Sequence, residues 1–225
     1  MNIKQLLRAA ALTAVAAMTI GASGNWNAAV VKFDRGYQIG NPDAKVKLTE
    51  FVSYTCPHCK SFTDEGEPAL QIAYISSGKL LFEIRPYIRN DIDLTATMLV
   101  QCGGTEKFHR NHTMFMINQR TWLDTAGYAT KAQQQRWSAP EGAAARRAIA
   151  SDLGFYGMME SRGYNRPEID NCLNDDAEAQ RLEANTIADA AEFQVTGTPT
   201  FAINGQKLEK VWDWRTLEPV LNGNF

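Results

Sequence analysis

The chain has 225 residues, with 23 Lys and Arg against 25 Asp and Glu, for a formal net charge of −2. This near balance excludes the basic surface of a nucleic-acid binder and a polybasic membrane signal. A content of 44% hydrophobic and 10% aromatic residues excludes an intrinsically disordered chain. Four cysteines are too few for a disulfide-dense scaffold and point to specific uses.

The N-terminus carries Lys4 and Arg8 with no acid, then the uncharged, apolar run Ala9–Ala22, then Ala22-Ser23-Gly24. That is the three-part pattern of a secretory signal peptide. The apolar run falls short of the ~20 residues needed to cross a bilayer. Residues 1–24 are therefore expected to be a cleaved leader, which places the mature chain in the periplasm, where stable disulfides are permitted.

Residues 25–44 read as a lead-in, with Asn41-Pro42-Asp43 as a turn. Lys45–Tyr54, KVKLTEFVSY, alternates and then turns apolar, as a strand entering a core does. From Cys56 the pattern is helical through Phe62, Leu70, Ile72, Ala73 and Tyr74. Gly66 and Pro68 predict a kink or a break in that helix, and Gly78 ends it. Leu80–Ile88 reads as a second strand, with Pro86 arguing for a sheet edge or an early end. Together these make a βαβ unit.

Residues 91–190 change character. Gly103-Gly104 breaks one helix, and the next carries Phe108, His112 and Phe115 at helical spacing. A further helix begins at Pro140-Glu141, and Asp175–Phe193, Ala-rich and free of Gly and Pro, is the clearest helix of the chain. TAGYATKAQQQRWS, residues 125–138, fits helix or loop. Strand character returns at Thr200–Ile203, followed by the hairpin pair Asn204-Gly205, a partner strand over Lys207–Trp212, and a final helix capped by Asp213. The order βαβ, helical block, ββα predicts an α/β fold. Residues 25–90 and 191–225 form a discontinuous sheet domain, and residues 91–190 an inserted helical domain.

Cys56-Pro57-His58-Cys59 lies where a strand ends and a helix begins. There the first backbone N–H groups lack partners and the helix dipole is positive, so a thiolate at Cys56 is stabilised. Pro57 suits the first helical turn. A protonated His58 would add positive charge beside the sulfur, and Cys59, one turn further in, is suited to resolving a mixed disulfide. A stabilised thiolate stabilises the reduced form, so the disulfide should be donated rather than collected. A purely structural bridge has little loop entropy to remove at so short a spacing. A zinc site would need a second pair, and Cys102 and Cys172 are not so spaced.

The stretch TEFVSYTCPHCKSF, Thr49–Phe62, resembles the active-site segment of the DsbA-like periplasmic thiol–disulfide oxidoreductases, and VTGTPTF, Val195–Phe201, resembles their cis-proline loop. The resemblance implies a thioredoxin-like fold with an inserted helical domain. It also implies a cis Pro199 against the cysteine pair, Thr198 backbone groups that pair with substrate, and a buried acid at Glu50 able to relay a proton to Cys59. Its implied partners are reduced or unfolded exported proteins and a quinone-linked membrane thiol oxidase that restores the disulfide. It implies no bound cofactor, and a monomer is expected. Thr198 departs from the apolar residue of the namesake oxidase and resembles the disulfide isomerases, so isomerase or reductase work is the alternative. A thiol-based metal-binding module is the more distant one.

Cys102 and Cys172 are expected to form a second, structural disulfide, although two buried thiols are the plain alternative. His109 and His112 have a spacing found in metal sites, but no thiol or acid aligns with them in the sequence, and packing histidines are expected.

Overall fold

The computed structural model describes residues 24–140 and 142–225. The expected leader therefore lies, but for Gly24, outside the described residues. Among these, no helix is long and apolar enough to cross a membrane.

One sheet of six strands organises the molecule, in the order β1-β2-β4-β3-β5-β6. The two central strands, β3 (Val46–Val52) and β4 (Leu80–Pro86), run parallel, in register from Val46 opposite Leu80 to Val52 opposite Pro86. Parallel neighbours need a crossover. It is supplied by α1 (Pro57–Leu70) and a π turn over Gln71–Ile75. Strand β5 (Thr200–Ile203) pairs antiparallel with the other edge of β3, placing Glu50 opposite Phe201. Side chains alternate between faces along a strand. Val46, Leu48, Glu50 and Val52 thus share one face of β3, and its apolar members join the main core with Cys59 and Phe62 of α1. Phe51, on the opposite face, packs with Phe193, Val195 and Ala202.

The expected lead-in is in fact a hairpin. Strands β1 (Val30–Phe33) and β2 (Gly36–Gly40) pair through a two-residue turn at Asp34-Arg35, and β2 continues antiparallel onto β4. Gly36 allows that approach, because a Cβ there would lie 2.1 Å from the Ile84 carbonyl oxygen. With β2 on one side and β3 on the other, β4 is central rather than an edge. Pro86 closes it early, as its missing N–H requires.

Two further expectations are corrected. Helix α1 does not break at Gly66 or Pro68 but runs through both to Leu70. The ring of Phe62 fills the space a Gly66 Cβ would need, at 2.4 Å, so the glycine serves packing rather than interruption. The partner strand after Asn204-Gly205 is only β6 (Gln206–Lys207), not Lys207–Trp212, because the chain leaves the sheet after Leu208 donates to Phe201. The hairpin turn itself is as expected, with φ of 50° and 83° at Asn204 and Gly205.

Between β4 and β5 the described residues are helical: α2 (Asp91–Gln101), α3 (Thr105–Ile117), α4 (Gln119–Gly127), α5 (Lys131–Trp137), α6 (Gly142–Asp152), α7 (Phe155–Glu160), α8 (Arg166–Leu173) and α9 (Asp176–Phe193). The ambiguous stretch 125–138 resolves into the end of α4 and all of α5, which is started by a capping box of Thr130 and Gln133. A last helix, α10 (Trp214–Asn222), is capped by Asp213 through the Thr216 N–H. The fold is thioredoxin-like, with a helical insertion.

Candidate active site: a dithiol at a helix N-terminus

Strand β3 ends at Val52, the loop Ser53–Thr55 carries the chain over the sheet edge, and Cys56 is the N-cap of α1 with Pro57 in its first turn. Cys56 and Cys59 are free thiols and are buried, whereas Pro57 and His58 are exposed. The Thr198–Pro199 peptide bond is cis. As a thiol, Cys56 donates to the Thr198 carbonyl oxygen at 3.0 Å, so the two motifs of the sequence meet at one sulfur.

The Cys56 thiol is lowered to about 5. Its hydrogen bond with Cys59 is the largest cause. Burial opposes it, and Thr198 and the backbone N–H groups of Cys59 and His58 add to the lowering. The Thr198 hydroxyl is buried and has no other partner, which leaves it free to serve the thiolate. Cys59 is driven the other way. Burial first, then its bond with Cys56 and the nearby Glu50 and Cys56, hold it well above the ordinary thiol value, and only the Ser53 N–H, 3.5 Å from its sulfur, opposes them. The pair is therefore split into a ready thiolate and a reluctant one. His58 acts on Cys56 through its backbone N–H, while its side chain helps hold the Asp213 carboxyl down, behind the larger effect of Thr216.

Glu50 is fully buried, and neither carboxyl oxygen has a hydrogen-bond partner. Burial, then the charges of Glu67 and Cys56, push it well above the usual carboxylate range.

Two further groups at the site, Asp93 and Gln119, carry no signal in the sequence, and His112, expected there as a packing histidine, takes a polar role beside them. Asp93, fully buried, accepts from the Tyr54 N–H, the Ser53 hydroxyl and the Arg89 N–H. Gln119 donates to the carbonyl oxygens of both Tyr54 and Cys56. His112 bridges the Tyr54 hydroxyl and Glu67. His109 meets Gln71 and also lies 4.0 Å from Glu67, so the two histidines share an acidic partner that their sequence neighbourhood does not reveal, because Glu67 sits on α1. Among the described residues, no cluster of three or more His, Cys, Asp or Glu is disposed to hold a metal. Cys102 and Cys172 are joined by a disulfide, linking the end of α2 to α8.

A vicinal dithiol at a strand-to-helix junction, facing a cis-proline loop in a sheet with a parallel centre and antiparallel edges, defines a thioredoxin-fold redox protein. A thioredoxin family model matches residues 33–222, and the chain belongs to that family. The crystal structure of a protein-disulfide isomerase from Novosphingobium aromaticivorans is 41% identical and superposes with a TM-score of 0.80, covering 83% of this chain and 95% of that one. A Rickettsia conorii relative described as a protein-disulfide oxidoreductase is 31% identical over 173 residues, 76% of this chain and 54% of the relative. The chain thus spans about half the length of the curated relatives it matches. Wolbachia pipientis α-DsbA1 shares the fold at 20% identity, with a TM-score of 0.62 over 88% of this chain and 94% of that one.

Proposed function

We propose that this protein is a periplasmic disulfide oxidase that passes the Cys56–Cys59 disulfide to reduced exported proteins. The observation that carries this reading is the opposed pair of thiols, Cys56 lowered to about 5 and Cys59 raised, at the N-terminus of α1. A low-pKa thiol is a good leaving group and stabilises the reduced enzyme, so its disulfide is oxidising.

In the reaction, a substrate thiolate attacks the Cys56 sulfur of the oxidised enzyme. The Cys56–Cys59 bond breaks, and Cys59 leaves with the electron pair. Glu50, buried and close enough to Cys59 for its carboxylate to raise that thiol, gives up a proton in its protonated form to the departing sulfur, directly or through water. A second substrate thiolate then attacks the substrate sulfur of the mixed disulfide and expels Cys56 as its stabilised thiolate. The substrate has lost two electrons to the enzyme. Thr198, whose backbone carbonyl lies against Cys56, orients the extended substrate chain across the cis-Pro199 loop. A quinone-linked membrane thiol oxidase would return the enzyme to the disulfide state. In this reading the leader delivers a monomer to the periplasm, residues 25–90 and 191–225 carry the dithiol, and the inserted domain 91–190 covers it.

The oxidised protein should convert a reduced, unfolded test protein to its disulfide form, and Cys56→Ala should abolish the conversion. A second reading, isomerase, is favoured by Thr198 and by the similarity to the Novosphingobium isomerase. If the reduced protein rescues a scrambled test protein while the oxidised protein fails to oxidise a reduced one, the oxidase reading is wrong and the isomerase reading stands.

A further inference from the structure

Tyr54, two residues before the nucleophile, is held by the inserted helices at every polar group it has. Its N–H donates to Asp93 of α2 at 2.7 Å, its carbonyl oxygen accepts from Gln119 of α4 at 2.7 Å, and its hydroxyl meets His112 of α3 at 2.8 Å. All three partners are at most 1% exposed. Three separate helices thus converge on one residue of a loop that the sheet domain alone would leave hanging from β3.

The same two inner groups reach past Tyr54 to the sulfurs. Asp93 also accepts from the Ser53 hydroxyl at 2.6 Å, and Ser53 carries the backbone N–H that faces Cys59. Gln119 also donates to the Cys56 carbonyl oxygen at 2.9 Å, fixing the N-cap of the helix whose first-turn N–H groups, those of His58 and Cys59, help lower the Cys56 thiol. We propose that Asp93 and Gln119 are positioning residues of the dithiol, Asp93 aiming the Ser53 N–H at Cys59 and Gln119 fixing the first turn of α1 against Cys56. This rests on the exchange chemistry proposed above and assigns part of its control to the inserted helices.

Burial is costly for Asp93, whose carboxyl is pushed up to about 6 mainly by desolvation, against the pull of its hydrogen bonds from Ser53, Arg89 and Tyr54. Asparagine could keep one acceptor for the Tyr54 N–H, but its NH2 would face the Arg89 N–H and disturb the Ser53 contact. Methionine at position 119 would keep the length of glutamine and lose both donors. The two substitutions therefore act on different sulfurs.

The test compares wild type, Asp93→Asn and Gln119→Met by three readouts: melting temperature, the rate at which reduced glutathione opens the Cys56–Cys59 disulfide, and the thiolate absorbance titration of reduced Cys56. Asp93→Asn should slow opening about five-fold, the scale of one lost hydrogen bond to the departing Cys59 sulfur, with the Cys56 titration unmoved. Gln119→Met should raise the Cys56 midpoint by about one unit as the aligned N–H groups loosen. Should Asp93→Asn fail to fold, Ser53→Ala removes the hydroxyl's bond to Asp93 together with its bonds to the Thr55 N–H and hydroxyl, leaves the Asp93 carboxylate on Tyr54 and Arg89, and should slow opening in the same direction. Lower melting temperatures with both rate and midpoint unchanged would overturn the positioning role and leave a structural clamp. A wild type inert towards glutathione would instead overturn the proposed function itself.

Discussion

Two cysteine pairs lie in one molecule, and their surroundings assign them different chemistry. Cys102 and Cys172 join the C-cap of α2 to α8 by a disulfide, with Cys102 buried in the main core. Cys56 and Cys59 occupy the first turn of α1, where unpaired N–H groups, Thr198 and a buried, partnerless Glu50 act on the sulfurs. The first pair closes a 70-residue separation and gains from the chain entropy it removes. The second closes a short loop and gains little by that route. What separates a staple from a reagent is therefore not the bond itself but loop length on one side and local electrostatics on the other.

Deleting sulfurs tests the contrast most severely. Cys56→Ala should abolish disulfide transfer altogether while the Cys102–Cys172 bridge stays resistant to mild reductant. Replacing Cys102 and Cys172 together by Ala should cost about 4 kcal/mol of stability in the chain-entropy model, with transfer to a test protein retained when assayed well below the lowered melting point. If the double variant lost transfer while still folded, the second bridge would have to be counted as part of the reactive site.

A smaller effect follows from linkage. The folded-state pKa of Cys56 is depressed to about 5, so the thiolate contributes stability above the unfolded value, and that contribution is lost as pH falls through the folded value. The stability difference between the reduced wild type and Cys56→Ala should therefore shrink by up to about 3 kcal/mol between pH 7 and pH 4. Chemical denaturation across that range measures it. A difference that does not vary with pH would mean that the thiolate is not stabilised by the fold. Asp93 runs with the opposite sign. Its raised value means that its contribution is lost as pH rises towards 6, and it is common to both proteins in the comparison. Smaller again, Glu50→Gln should slow substrate oxidation roughly ten-fold, below the usual range for a general acid because water can substitute. An unchanged rate in stopped-flow measurements would remove Glu50 from the proton path.

Much of this contrast is legible in the sequence. The C-P-H-C motif after an apolar strand marks the reactive pair, because the helix N-terminus that activates it is a local feature. The Asn204-Gly205 turn and the Asp213 cap are local in the same sense, and each falls where expected. The β1–β2 hairpin carries no such local mark, because Asp34-Arg35 is not a hairpin signature and its strands are four and five residues long. Asp93 and Gln119 carry no signal for another reason. Asp93, three residues after the N-cap Asn90, looks like an ordinary first-turn acid of α2, and Gln119 like an ordinary helix surface residue. Only the tertiary packing of the insertion brings them to Tyr54, a contact no local pattern encodes.

The central claim is that the fold turns Cys56 into a stabilised thiolate, and the most direct measurement is the thiolate absorbance of the reduced protein titrated from pH 3 to pH 9. The account predicts a midpoint for Cys56 near 5, absent from Cys56→Ala, with Cys59 silent throughout the range. A midpoint at the ordinary thiol value of about 8.5 would contradict it, leaving the pair without the asymmetry on which disulfide donation depends.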